Sequence, residues 1–451
     1  MKLITIQEAV EIATDKLDIP ATHQLIHSGI YRSTAPDQWP AYQIELEWNV
    51  EGAPPIDANE LVSPTVRRAE LDAISGRIVA YYRHDHRGYR EMEREELDEA
   101  EYEAVYPAIP DWLAKLELPI QPAELKLVRK HTYGGELLEF SFRREYAGIP
   151  VNGSQSLNLV MNRRRELIHL FWQWKECSFA PSTARLPEEQ LLEQLESGQL
   201  SLTYHHLLSP EHPVYICRED TFDAATGQLL HTDQAERVEI IDLQEVRQRN
   251  LPRLEVERKP IFAADHYDVL RLADGMTEVD LSAPHPFRAE LTQLEKERAK
   301  RIAAAYVSQL PEQKDCCYAF VSREGQKVVS GMQGDQIMVE VQRLIHQIPL
   351  SGGGIKLVLD HNTWKVNNVM DKSEWLGYLL EEKQSPLGSL QKPVIAREQA
   401  WEQLEGRLKL KLHYMMEDDN GPHHAREARL VYTLDCDWLC NAVTGEIRIP
   451  E

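Results

Sequence analysis

Apolar and polar residues alternate along many short runs of this chain, and each run predicts a half-buried β-strand. Tyr42-Gln43-Ile44-Glu45-Leu46 and Arg68-Ala69-Glu70-Leu71 alternate in this way. So do Leu138–Arg144, Leu157–Met161, Tyr318–Arg323 and Gln336–Val339. Between such runs the period changes to that of a helix. Ile6, Ala9, Ala13 and Leu17 recur at helical spacing behind Thr5-x-x-Glu8, a capping box in which each side chain satisfies a free backbone N–H of the other residue. A second helix is predicted around 189–196, with Pro187 at its opening, Gly198 past its end and Leu191, Leu192 and Leu195 as its apolar stripe. A third is predicted around 398–405 and carries Trp401 and Leu404. This mixture predicts an α+β protein: antiparallel, curved sheets, each with one or two helices on one face and the other face left to water or a partner.

The runs recur in order, so the chain reads as an imperfect duplication. Leu138–Arg144 answers to Tyr318–Arg323, and Val151-x-Gly153-x-Gln155 to Val329-x-Gly331-x-Gln333. Farther on, Glu193-Gln194-Leu195-Glu196 returns as Glu402-Gln403-Leu404-Glu405, and Leu200-x-Leu202-x-Tyr204-His205 as Leu408-x-Leu410-x-Leu412-His413. Each copy closes on a pentapeptide, Asp223-Ala224-Ala225-Thr226-Gly227 and Asn441-Ala442-Val443-Thr444-Gly445, and Asp72-Ala73-Ile74-Ser75-Gly76 ends a shorter N-terminal version. In such a turn the Asp or Asn accepts backbone N–H groups ahead of it, Thr or Ser assists, and Gly takes the left-handed conformation at little cost. Asp72, Gly76, Asp223, Thr226, Gly227, Asn441, Thr444 and Gly445 are therefore expected to be structural turn residues. The expected domains are 1–90, 91–235 as repeat 1, 236–294 as a bridging segment and 295–451 as repeat 2 with an insertion near 340–390; each module is small enough that neighbours should pack together.

These residues resemble the PepSY family and, more closely, the YcdB/YcdC-type repeats related to it. The pattern is a helix, strands ending in an Asp-Ala-x-Thr-Gly turn, and a final strand; Phe142-Arg143-Arg144 followed by Gly148-Ile149-Pro150-Val151 is similar to a segment of those repeats. The resemblance covers most of residues 1–85, 100–230 and 295–451, and implies tandem PepSY-like modules. It associates the chain with propeptides of secreted peptidases and with inhibitory or binding roles at the cell envelope, and it brings no catalytic residues. Asn441 departs from the Asp of the turn pattern while keeping the turn chemistry.

Length, charge and cysteines narrow the classes. At 451 residues the chain exceeds one ordinary hydrophobic core. With 73 Asp and Glu against 50 Lys and Arg, its net charge of -23 opposes binding to nucleic acid or anionic membranes. Arg163-Arg164-Arg165 is a basic cluster short enough to be a strand end or turn. Glu8 and Glu11 interrupt the start, where a secretory leader would be apolar, and no run is long enough to span a membrane. A cytoplasmic location is the expectation, and the resemblance leaves an envelope-associated role open.

Cys177, Cys217, Cys316, Cys317, Cys436 and Cys440 contain no Cys-x-x-Cys pair and read as reduced, mostly buried thiols. The chain has no phosphate loop, nucleophile elbow or His-Glu-x-x-His helix; Gly352-Gly353-Gly354 lacks the Lys-Ser or Lys-Thr that would make it one of these. His84 with His86, His205 and His206 with His212, and His423 with His424 could ligate a metal only if brought to Cys436 and Cys440. Eight carboxylates within 91–103 read as a solvated helix face or linker. No catalytic, cofactor-binding or metal residue is assigned. The function these observations favour is a non-catalytic repeat protein that binds a protein or peptide partner, with modulation of a peptidase as one form of it. A spacer without a ligand is the first alternative, and a hydrolase with a dispersed site in the 340–390 region is the second.

Overall fold

The computed structural model describes residues 1–33, 39–53, 63, 65–84, 94–153, 155–174, 177–180, 185–205, 209–231, 237–248, 254–256, 269–272, 275, 277–280, 291–310, 316–322, 328–331, 334–351, 354–371, 390–416 and 426–449. The fold is α+β, with mostly antiparallel sheets and few helices. The chain divides into two compact units, one of residues 1–181, 267–284 and 413–429, the other of residues 182–266, 285–412 and 430–451.

In the first unit, helix α1 (Ile6–Lys16) precedes strands β1 (His23–Ser33), β2 (Tyr42–Val50), β3 (Arg67–Asp72) and β4 (Ile78–Arg83). Strand β5 (Arg94–Glu96) leads to helices α2 (Glu99–Val105) and α3 (Ala108–Lys115). Strands β6 (Leu125–Tyr133), β7 (Leu137–Tyr146), β8 (Ile149–Pro150), β9 (Ser156–Asn162) and β10 (Leu167–Gln173) follow. They build one sheet in the order Val269–Arg271, β1, β2, β3, β4, β10, β9, β7, β6, β5, with β8 attached to β7. Two meanders thus meet at their last strands, where Tyr82 faces His169 and Ala80 faces Phe171 in antiparallel register.

Alternation makes this sheet two-faced. Ile44, Leu46 and Trp48 of β2, Phe140 and Phe142 of β7, Leu157 and Leu159 of β9 and Leu170 and Trp172 of β10 are buried in one core with the helices. Thr5 and Glu8 close the capping box of α1, and Ala9 and Ala13 are the buried residues that let the helix lie close to the sheet. Asp98 caps α2 by accepting the Glu101 N–H at 2.7 Å, so one carboxylate of the acidic run starts a helix. Glu95 and Glu96 of the same run lie on β5, whereas Glu91 and Glu93 lie outside the described residues.

In the second unit, helix Gln293–Ser308 packs Ala299, Ala303, Ala304 and Val307 against Tyr318, Phe320, Ile337, Val339 and Leu357. Helix Arg397–Leu404 packs Ala400 and Leu404 against Leu200, Tyr215 and Cys440. The main sheet here is antiparallel except where Tyr204 faces Leu350 in parallel register. Residues 340–371 of the region expected to hold an insertion complete strand Gly334–Ile345 and form strands Ile348–Ser351, Ile355–Asp360 and Val366–Asp371. Residues 372–389 lie outside the described residues, as does most of the 236–294 bridging segment beyond strand Arg237–Ile241 and helix Leu243–Gln248.

Candidate functional site

The face of the first unit's sheet that points away from α1–α3 is chemically different from the core face. Register sets its rows of side chains. Ala80, Phe171, Asn158, Ser141 and Arg129 follow one another across β4, β10, β9, β7 and β6. In the next row come Tyr82, His169, Val160, Glu139 and His131. A groove of about 680 Å³ runs over these rows, lined by Tyr82, Arg94, Arg129, Tyr133, Glu139, Ser141, Asn158, His169 and Phe171. Its volume falls in the range of ordinary ligand sites, roughly 300–1,000 Å³.

The groove lies on the sheet face and has a mostly polar lining. Tyr133, Leu137, Val160 and Ile168 form a small buried cluster at one end. The extra residue Ile168 is accommodated by a bulge between Leu167 and His169. The Tyr82 and His169 rings pack with centroids 4.6 Å apart. Tyr133 donates its hydroxyl to Glu139 Oε2 at 2.7 Å, and Arg94 Nη2 approaches the same oxygen at 4.0 Å. The hydrogen bond to a carboxylate contributes about 1.5–3 kcal/mol, and the longer, half-exposed ion pair at most about 1 kcal/mol. Glu139 is thus engaged within the site. Arg129 is exposed and makes no ion pair among the described residues.

Beyond Tyr82 the same face carries a cluster of three carboxylates around one guanidinium. Arg68 Nη2 lies 3.1 Å from Glu45 and 3.0 Å from Glu70, with Glu47 at 3.9 Å from Nη1. Burial pushes the Glu70 carboxyl up from its ordinary range against the pull of Arg68. Near the end of β7, Arg144 is buried between the Trp174 and Phe179 rings at 5.0 and 4.9 Å, with its Nε 2.8 Å from Glu124. It also donates to Gln155 and to Cys177 Sγ, each at 3.4 Å, so the Phe142-Arg143-Arg144 motif supplies a structural clamp.

The pentapeptide turns are local hydrogen-bond devices. Asp72 accepts the N–H of Ile74 and Ser75 and the Ser75 hydroxyl, Asp223 accepts the N–H of Ala225 and Thr226, and Asn441 that of Val443 and Thr444. Gly76, Gly227 and Gly445 sit at φ of 72°, 72° and 76°. The hydroxyl oxygens of Thr226 and Thr444 accept the N–H of Gln228 and Glu446. Two further turns use the same anchor without the glycine. Asp360 accepts from Asn362 and Thr363 with Trp364 at φ 62°, and Asn162 accepts from Arg164 and Glu166 with Arg165 at φ 64°. The three arginines of the basic cluster lie in the latter.

All six cysteines are free thiols, and burial pushes each above its ordinary pKa, Cys217 to about 12. His212 lies 3.0 Å from the Asn441 side chain, while His86, His206, His423, His424, Gly352 and Gly353 lie outside the described residues. Among the described residues no three His, Cys, Asp or Glu side chains converge as a metal site, and no helix is long and apolar enough to cross a membrane.

No protein-family model matches the chain, and no curated protein does. Among solved structures it is similar to the Bacillus megaterium YpeB C-terminal domain, at 12% identity and a TM-score of 0.29, over 52% of this chain and 98% of that one.

Proposed function

We propose that this chain is a non-catalytic protein of tandem PepSY-like modules that holds a protein or peptide segment in the groove of its first unit. The observation that carries the binding reading is the groove itself: three aromatic rings, two arginines and uncharged hydrogen-bonding side chains, set on the face of a sheet whose other face is sealed by helices. An aromatic floor supplies contact area at low entropic cost, and polar groups at fixed register supply orientation. The module reading is supported by element order. One or two helices followed by antiparallel strands, with an Asp- or Asn-anchored turn before the last strand, occur at 6–83, 99–173 and 293–371. Shorter versions occupy 188–231 and 397–448.

The test is selection from a displayed library of random heptapeptides on the immobilised full chain, with the Ser141→Trp variant in parallel. Ser141 is buried at the groove floor, so a Trp there fills the groove. Peptides that bind the parent chain, lose binding to the variant and are recovered intact after prolonged incubation would support the reading. No enrichment, or binding indifferent to Ser141→Trp in a variant of parental Tm, would return the chain to a spacer role. Cleaved peptides would make it a hydrolase.

A further inference from the structure

Resting on that reading, we infer that the groove is selective for an acidic segment, an extended stretch of a partner protein whose carboxylate is held at Arg129. The positive charges of the lining are those of Arg94 and Arg129, and the negative charge is that of Glu139. Glu139 is committed to the Tyr133 hydroxyl and lies beside Arg94, which leaves that pair locally neutral. Arg129 remains as an exposed guanidinium without an ion pair among the described residues. In a chain of net charge -23, an uncompensated cation in an aromatic groove is the unusual feature, and a carboxylate is its electrostatic complement.

The neighbours of Arg129 fit the same ligand. Ser141 lies opposite it in register and Asn158 opposite Ser141, so a hydroxyl and a side-chain amide continue the row toward Phe171. A guanidinium can take a carboxylate through two parallel N–H bonds, and the hydroxyl and amide can donate to a peptide carbonyl beside it. At the far end the half-exposed Phe171 ring offers stacking surface. From β4 to β5 the groove crosses five interstrand spacings, roughly 24 Å at about 4.8 Å each. About seven extended residues span that distance. The occupant is therefore a segment of about seven residues, acidic toward β6 and aromatic or apolar toward β4 and β10.

Two synthetic heptapeptides decide it, titrated by fluorescence anisotropy against the full chain: one with a C-terminal Asp-Glu pair and an N-terminal-side Trp, the other with Lys-Lys in place of the acidic pair. The expected result is at least tenfold tighter binding of the acidic peptide, lost by roughly ten- to a hundredfold in Arg129→Glu and only partly in Arg129→Lys. Equal binding of both peptides, blocked by Ser141→Trp but indifferent to Arg129→Glu, would overturn the acidic preference and leave the groove reading intact. Binding of neither peptide, when library-selected peptides of another composition bind in the groove, would overturn the preference as well. Binding of the acidic peptide that survives Ser141→Trp would overturn both. Because Arg129 is exposed, neither of its variants should shift Tm, and that is checked in the same samples.

Discussion

Phe171 and Trp172 are consecutive residues of one strand, and they face opposite sides of the sheet. Trp172 is fully buried in the helix-covered core and donates its indole N–H to the Ile78 carbonyl at 2.6 Å. Phe171 is half-exposed in the groove. The same contrast runs the width of the sheet, between Leu157 and Asn158, Phe140 and Ser141, and Leu170 and His169. On the core face residue type is dictated by packing, and apolar volume is all that is asked. On the groove face nothing in the fold calls for Arg129, Ser141 and Asn158 together, so their chemistry is available for recognition.

That contrast can be broken most severely at the core. Trp172→Ala should cost about 3–5 kcal/mol, from lost transfer energy, an unfilled cavity and the lost indole bond, read as a large fall in the urea midpoint. Phe171→Ala, one residue away, should cost about 1 kcal/mol or less while abolishing peptide binding. Equal destabilisation by the two substitutions would erase the distinction between the faces.

Next in size is Arg144→Ala near the end of β7. It strands Glu124 and removes a cation held between two rings, and should cost roughly 2–3 kcal/mol. Peptide affinity in the groove should stay within about twofold where the variant is still folded, as isothermal titration would show. A large change in affinity would mean that the clamp and the groove are coupled.

The turns make a smaller test. Gly227→Ala places a Cβ 3.0 Å from Leu186 Cδ2 at a φ of 72° and should cost roughly 1–2 kcal/mol by thermal denaturation. Arg165→Gly at φ 64° relieves the same backbone strain and should be close to neutral, because the Arg165 contact to the Ala104 carbonyl is lost at the same time. The least effect on stability belongs to Arg129→Glu, expected within about 0.5 kcal/mol of the parent chain.

These elements also mark what the sequence makes legible. The capping box Thr5-x-x-Glu8, the alternating runs of β2, β7 and β9 and the start of the short helix after Pro187 are local signals, and the α+β class follows from them; that helix stops at Leu192, short of the expected 196, and Gly198 lies in a separate 3-10 turn, Ser197–Gln199. The turn pattern is visible in sequence where Gly occupies the left-handed position. At Trp364 and Arg165 another residue is forced into that conformation by the Asp360 and Asn162 anchors, and the pattern disappears from the sequence while the geometry stays. The groove is less legible still. Its residues come from β4, β5, β6, β7, β9 and β10, and they meet only because β4 pairs with β10, a long-range contact that no periodicity encodes. Alternation places Ser141 and Asn158 on an outward face; it says nothing of which strands stand side by side.

The most direct test of the groove as a binding site is hydroxyl-radical footprinting of the full chain with and without a saturating library-selected peptide, read by mass spectrometry on single side chains. Binding in the groove predicts protection of Tyr82 and Phe171 and unchanged oxidation of Tyr146, an exposed ring outside the groove. Unchanged labelling at those two rings, with protection elsewhere in the chain, would contradict it.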